Sequence, residues 1–161
     1  MAKRKILILG QDEQLRKRCR VVDKFDERLH TLLDDMAETM YDANGAGLAA
    51  PQVGILKRAV VIDAGDEHGL VELINPEIVS AEGERVVVES CLSVPDKCGT
   101  VKRPVKVTGK GQNRYGEPVE YTGEGFFGLA LCHETEHLDG KLYVDSMIED
   151  VSDRYRQVKG E

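Results

Sequence analysis

His133-Glu134-Thr135-Glu136-His137 is an H-E-x-x-H pattern, and it limits this chain more than any other feature. On a helix of about 3.6 residues per turn, positions four apart advance by about 400° and share a face. Both imidazoles can then reach one ion. Glu134 stands about 100° round from His133, where it can approach a water beside that ion without being a ligand. The set supports metal-assisted hydrolysis: the ion lowers the pKa of water towards ~7 and the carboxylate takes the proton. Leu129, Leu131 and Leu138 predict that this helix, beginning near Gly125, is buried. The plain alternative is two hydrogen-bonded histidines on a half-buried helix face.

Two imidazoles leave a catalytic site one protein ligand short. Downstream stand Asp139, Asp145 and Glu149. The thermolysin-like spacing needs a Glu about 20 or more residues on and finds little chain to occupy. The metzincin arrangement needs a further His, and none follows His137. Cys91 is the other candidate, in Glu89-Ser90-Cys91-Leu92-Ser93-Val94-Pro95 at the expected end of a strand. A thiolate is a good donor for Fe(II) or Zn(II). Taken alone, Cys91 reads equally well as an inert buried thiol. The other cysteines, Cys19, Cys98 and Cys132, form no C-x-x-C pair, and the chain does not look stapled by disulfides.

A chain of 161 residues is one domain's worth, read here as a single catalytic domain over 1–161 with a polar tail from about 146. Lys and Arg number 22 against 29 Asp and Glu, a net charge of −7 that argues against general DNA or RNA binding. The basic start Met1-Ala2-Lys3-Arg4-Lys5 precedes only Ile6–Leu9, short of the roughly 7–15 apolar residues of a secretory signal. No stretch approaches the ~20 apolar residues of a membrane span, so the expected location is the cytoplasm.

The periodicity Leu29, Leu32, Leu33, Met36, Met40 predicts a helix over about 27–43, capped by Asp26 and stopped at Asn44-Gly45. Strands are expected at Ile6–Leu9, Arg58–Asp63, Val71–Ile74, Arg85–Glu89, Val101–Thr108, Val119–Thr122 and Lys141–Val144. Gln14–Arg20 reads as a turn of helix. A loop crowded with small residues, Gly45-Ala46-Gly47-Leu48-Ala49-Ala50-Pro51-Gln52, follows the first helix. Without regular β-α alternation the class is α+β: antiparallel sheets packed around a central metal-binding helix, with an N-terminal helix.

Three segments, Gly45–Gln52, Glu89-Ser90-Cys91-Leu92-Ser93 and His133-Glu134-Thr135-Glu136-His137, together resemble the three signature motifs of peptide deformylase, in the family's order and at its usual spacing. The resemblance runs to about residue 150 and includes Leu142-Tyr143-Val144-Asp145. It implies a hydrolase that removes the formyl group from N-terminal formylmethionine of new polypeptides. Cys91, His133 and His137 would hold one ion per chain, natively Fe2+, with Zn2+, Ni2+ or Co2+ able to substitute. Glu134 would be general base and then acid, and the Leu92 backbone N–H and the Gln52 amide would stabilise the oxyanion. Gly45, Gly47 and Ser90 would let the substrate peptide approach as a short strand. Ala46, Val87, Phe126, Leu129 and Ala130 would line a methionine pocket, although such residues are as often plain core. Glu89 and Arg103 would form a pair that steadies the Cys91 segment. Transient ribosome contact is a further expectation, through Arg16-Lys17-Arg18-Arg20 and Arg154, Arg156 and Lys159, although charge runs are usually solvated faces.

Two positions depart from the family pattern. Ser90 stands where Gly is usual, a costly change if that backbone needs φ > 0. Cys98 stands where relatives often carry an Arg near the substrate entrance. Two rival readings compete: a small zinc peptidase using the same H-E-x-x-H, and a non-catalytic binding protein of deformylase ancestry.

Overall fold

The computed structural model describes residues 2–154. Its elements are α1 (Glu27–Asp42), β1 (Gly47–Ala49), β2 (Ala59–Asp63), β3 (Leu70–Glu82), β4 (Arg85–Cys91), β5 (Val94–Arg103), β6 (Lys106–Gln112), β7 (Pro118–Glu124), α2 (Gly125–His137) and β8 (Glu149–Asp150). Short 3-10 turns lie at Glu13–Arg16, Ala50–Val53 and Tyr143–Asp145. All pairings between these strands are antiparallel, in a five-stranded sheet ordered β1-β2-β3-β6-β7 and a three-stranded sheet ordered β4-β5-β8.

α1 begins as its sequence dictates, with the Asp26 side chain accepting a hydrogen bond from Leu29 N–H at 3.2 Å. It ends at Asn44, whose φ of 57° is the left-handed turn that Asn tolerates. The stripe Leu29, Leu32, Leu33, Met36 and Met40 is buried against Leu48, Ala59, Val61 and Ile74. The intervening residues Val60, Ile62 and Leu73 point the other way, into a cluster with Phe127, Ala130 and Leu131 of α2. Period-two alternation along β2 therefore fills two cores, with α1 on one face of the large sheet and α2 on the other. The first two turns of α2, residues 125–132, are apolar on nearly every side and pack on the sheet, and the polar residues follow from His133. Gly128 lets it lie close, since a Cβ there would stand 2.8 Å from the Gly123 carbonyl oxygen. A third cluster of Val94, Val101, Leu142 and Tyr143 closes the small sheet, with Cys91 at its margin.

Several expected elements take other forms. Ile6–Leu9 is extended but joins no sheet; Leu7 N–H donates to the Gln52 carbonyl at 2.7 Å and Leu9 N–H to the Ser93 carbonyl at 2.9 Å. Val101–Thr108 is two strands, because Pro104 has no N–H for a ladder. Val71–Ile74 is only the start of β3. Asn75-Pro76, a turn signal in sequence, is a bulge inside that strand. Asn75 adopts φ 52° there, and its amide bonds Val22 and Gln112 instead of ending the strand. Lys141–Val144 is not a strand; the Asp145 side chain accepts from Leu142 N–H and folds the segment into a 3-10 turn. Gly47–Ala49, expected as loop, is an edge strand. Beyond Ser146 the structure gives β8 and a helical turn at 152–154; Met1 and the tail residues 155–161, with Arg156 and Lys159, lie outside the described residues. Among the described residues no helix is long and apolar enough to cross a membrane.

His68 clamps the β2–β3 connection to β7. Its Nδ1 meets Asp66 Oδ1 at 3.0 Å, its Nε2 meets the Thr122 carbonyl at 3.1 Å, and its ring stacks on Phe127. Both partners only accept, so both ring nitrogens donate and the imidazolium is the bonded form. Burial alone would lower this group, but the Asp66 bond and the Thr122 carbonyl raise it above the ordinary 6.5. Its stabilising effect is therefore complete at low pH and is lost as pH rises through the raised value. The stability gap between wild type and His68→Asn, read by urea unfolding, shrinks from pH 6 towards pH 9; a gap constant with pH would contradict the clamp.

Candidate metal centre

Two elements bring three donors together. α2 projects His133 and His137, and Cys91 closes β4 where the β4–β5 hairpin turns. Their ligand atoms all lie within 4.8 Å of one another, with Cys91 Sγ 3.4 Å from His137 Nε2. His133 Nδ1 lies 2.7 Å from Glu89 Oε1. A carboxylate only accepts, so Nδ1 carries a hydrogen, and in the neutral ring the lone pair is on Nε2. Glu89 thus fixes His133 in the tautomer that a metal ligand needs. His137 Nδ1 and Glu134 Oε1 are buried with no hydrogen-bond partner in the protein. A thiolate with two imidazoles suits Zn(II), Fe(II), Co(II) or Ni(II), and three protein ligands leave a position open for chemistry. The residues fit a divalent ion.

The charges around the donors follow from burial and pairing. Burial alone would lower the His133 imidazole, but Glu134, Cys91 and Glu89 raise it well above its usual value. Burial and the neighbouring His133 charge press His137 well below it. Burial pushes the Glu134 carboxyl up to about 7; positive charge placed nearby lowers such a group again. Among the described residues, the other grouping of possible ligands is Asp66, Glu67 and His68; Asp66 and Glu67 are exposed, and the half-buried His68 has both nitrogens engaged.

Glu89 is the centre of a larger network. Arg103 donates to both Glu89 oxygens and to both Glu136 oxygens, the latter at 2.9 and 3.0 Å. The expected Glu89–Arg103 pair is present, and it leads directly to His133. Glu136 was missed in the sequence, although its place three residues after His133 puts it on an adjacent part of the helix surface. Burial alone would raise Glu89, but His133 and Arg103 hold it below the usual carboxylate value. Arg103→Met leaves the buried Glu89 carboxylate without its guanidinium partner and frees the partly exposed Glu136. It lowers stability by about 3–5 kcal/mol in urea unfolding and metal affinity by about 10–100-fold in a chelator titration. Unchanged values would show the network to be idle.

The donors open on a cleft of about 700 Å³. Gly45, Ala46, Gly47, Gln52, Ser90, Cys91, Leu92, Phe126, Leu129, Ala130, His133 and Glu134 all line it. Val87 does not. It packs with Val94, Leu142 and Cys91 in the third core cluster, on the β4 face that also carries Glu89 and Cys91, while Val88 on the other face borders the cleft. Gln52 is 1% exposed, with Nε2 3.6 Å from Cys91 Sγ. Leu92 sits in the two-residue turn between Cys91 and Val94, where its N–H takes no part in the ladder. Ser90 pairs with Cys98 in ordinary extended backbone; positive φ among described non-glycine residues is confined to Asn44, Asn75 and Asp96, so the Gly-to-Ser departure carries no strain. Gly47 also serves a purpose unlike the expected one. A Cβ there would stand 2.9 Å from Glu134 Cδ and closer still to Oε2.

Residues 3–152 match the family model described as polypeptide deformylase. The chain belongs to the polypeptide deformylase family. It is 58% identical over 153 residues to the peptide deformylase of Caldicellulosiruptor bescii, covering 95% of this chain and 90% of that protein. It is 57% identical over 152 residues to that of Acetivibrio thermocellus, covering 92% and 88%. The crystal structure of a peptide deformylase from Legionella pneumophila superposes with a TM-score of 0.87 at 46% identity, covering 99% of this chain and 98% of that one. The Cys91, His133 and His137 cluster is the metal site typical of deformylases. This membership, with sulfur rather than a downstream carboxylate or imidazole beside the two histidines, decides against the zinc-peptidase reading.

Proposed function

We propose that this chain, as one catalytic domain, removes the N-formyl group from the terminal methionine of newly made polypeptides, and that Glu134 carries its proton transfers. The observation that carries the reading is Glu134 itself, buried beside three converging metal donors with one carboxylate oxygen unbonded. The same observation argues against a binding protein without catalysis, which has no use for an unpaired buried carboxylate.

Cys91, His133 and His137 would hold the ion, with Fe2+ the expected native metal and Zn2+, Ni2+ or Co2+ as substitutes. A divalent ion bound there supplies Lewis acidity, polarising the formyl group and lowering the pKa of water towards ~7. Glu134 takes a proton from the attacking water and delivers it to the departing methionine nitrogen, so water divides between formate and a free amine. A carboxyl raised by burial is suited to both halves of that transfer near neutral pH. The Gln52 amide and the Leu92 N–H face the same space and would meet the oxygen that gains charge, each worth about 2.7–4 kcal/mol.

The free edge of β1 offers Gly45–Gly47 backbone for the peptide to add as a strand, with Ser90 on the opposite wall. Ala46, Val87, Phe126, Leu129 and Ala130 would give the methionine its apolar lining; all but Val87 border the cleft, and Val87 lies on the β4 face that carries Glu89 and Cys91. Cys98 lines the same cleft without charge, beside Asp96 and Lys97. Ribosome contact, if made through the basic cluster, rests on Lys17 and Arg20, because Arg16 and Arg18 face Asp145 and Asp139. The test is formyl-Met-Ala-Ser with anaerobically prepared enzyme. Formate and intact Met-Ala-Ser in equal amounts support the reading, and cleavage at an internal bond or no turnover overturns it.

A further inference from the structure

Neighbours fix the direction of the Gln52 amide. Ala49 N–H donates to Gln52 Oε1 at 2.9 Å. A backbone N–H can only donate, so the amide oxygen must face it and the NH2 group turns to the metal site. One NH2 hydrogen goes to Ser93 Oγ at 3.0 Å, and the group also faces Cys91 Sγ at 3.6 Å, on the metal site. Ser93 is 0% exposed, lies outside the cleft lining and is not among the metal donors. The backbones of both residues are tied to one extended segment, through Leu7 N–H to the Gln52 carbonyl and Leu9 N–H to the Ser93 carbonyl. Alternate residues of that segment therefore set the distance between the turn that carries Gln52 and the hairpin turn that carries Leu92 and Ser93.

We propose that Ser93 is a positioning residue whose hydroxyl, held in place by the Leu7–Leu9 strap, aims the Gln52 amide at the developing oxyanion in register with the Leu92 N–H. The proposal rests on the oxyanion role given to Gln52 above. A preorganised donor stabilises charge without reorienting during the reaction, and a glutamine side chain free to turn loses that advantage. Without the Ser93 oxygen, Gln52 Nε2 lacks its best acceptor in a buried setting and keeps only its longer contact with Cys91 Sγ.

A double-mutant cycle on the zinc-loaded protein tests this. Gln52→Ala lowers kcat by about 10²–10³-fold. Ser93→Ala lowers kcat by roughly 10–100-fold with KM within about twofold and metal stoichiometry unchanged. The double variant matches Gln52→Ala, because Ser93 acts only through it. Ser93→Thr, which keeps the oxygen, recovers most of the rate. A second readout does not depend on turnover. The side-chain amide signals of Gln52 in a 15N–1H spectrum, identified by their loss in Gln52→Ala, shift and gain mobility in Ser93→Ala. Independent, multiplying losses in the double variant, or Gln52 signals unmoved by Ser93→Ala, overturn the proposal while leaving the oxyanion role intact. Full activity in Gln52→Ala overturns that role and the proposal with it.

Discussion

Glu134→Gln lowers kcat by about 10²–10⁴-fold, the usual worth of a positioned acid–base group. The side chain is 5% exposed, and Gln has nearly its shape, so the helix and the cleft persist. Metal content persists too, because Glu134 is not among the three converging donors. The variant keeps two polar atoms in place but can neither take a proton from water nor return it to the amine. Steady-state rates with formyl-Met-Ala-Ser, read beside metal analysis, separate the two effects. Retention of more than a tenth of the wild-type kcat with full metal would remove Glu134 from the chemistry.

Gly47→Ala carries the second large effect, from a residue with no chemistry of its own. The Gly47 backbone is not in the left-handed region, so alanine suits its local conformation. The conflict is spatial. The new Cβ would fall 2.9 Å from Glu134 Cδ, and the Glu134 side chain is buried. The carboxylate has to move, and a displacement of about 1 Å at a reacting group costs about 10²-fold in rate. The expected result is a kcat reduced by that order with the metal retained. Gly47→Ala with wild-type kcat would mean that the approach of β1 to Glu134 has slack the structure does not show.

The parts of the site legible in the sequence were those that local spacing determines. His133, Glu134 and His137 follow from helical geometry, and α1 from its stripe and its Asp26 cap. Cys91 became a ligand only through the three motifs taken together, because nothing local distinguishes a metal-bound thiol from a buried one. What stayed hidden depends on long-range contact. Glu136 meets Arg103 across 33 positions, and Gln52 meets Ser93 across 41. Gly47 reads as loop chemistry until Glu134 is seen against it. Asn75-Pro76 misled because the side chain of Asn75 finds partners in the 20s and 110s that turn a stop signal into a bulge.

X-ray absorption at the metal edge of anaerobically purified protein, with Cys91→Ala alongside, tests the account most directly. The account predicts one ion per chain with one sulfur neighbour at about 2.3 Å and two imidazole nitrogens at about 2.0–2.1 Å, and loss of the sulfur shell in Cys91→Ala. A wild-type spectrum with nitrogen and oxygen neighbours alone, unchanged in the variant, would contradict it.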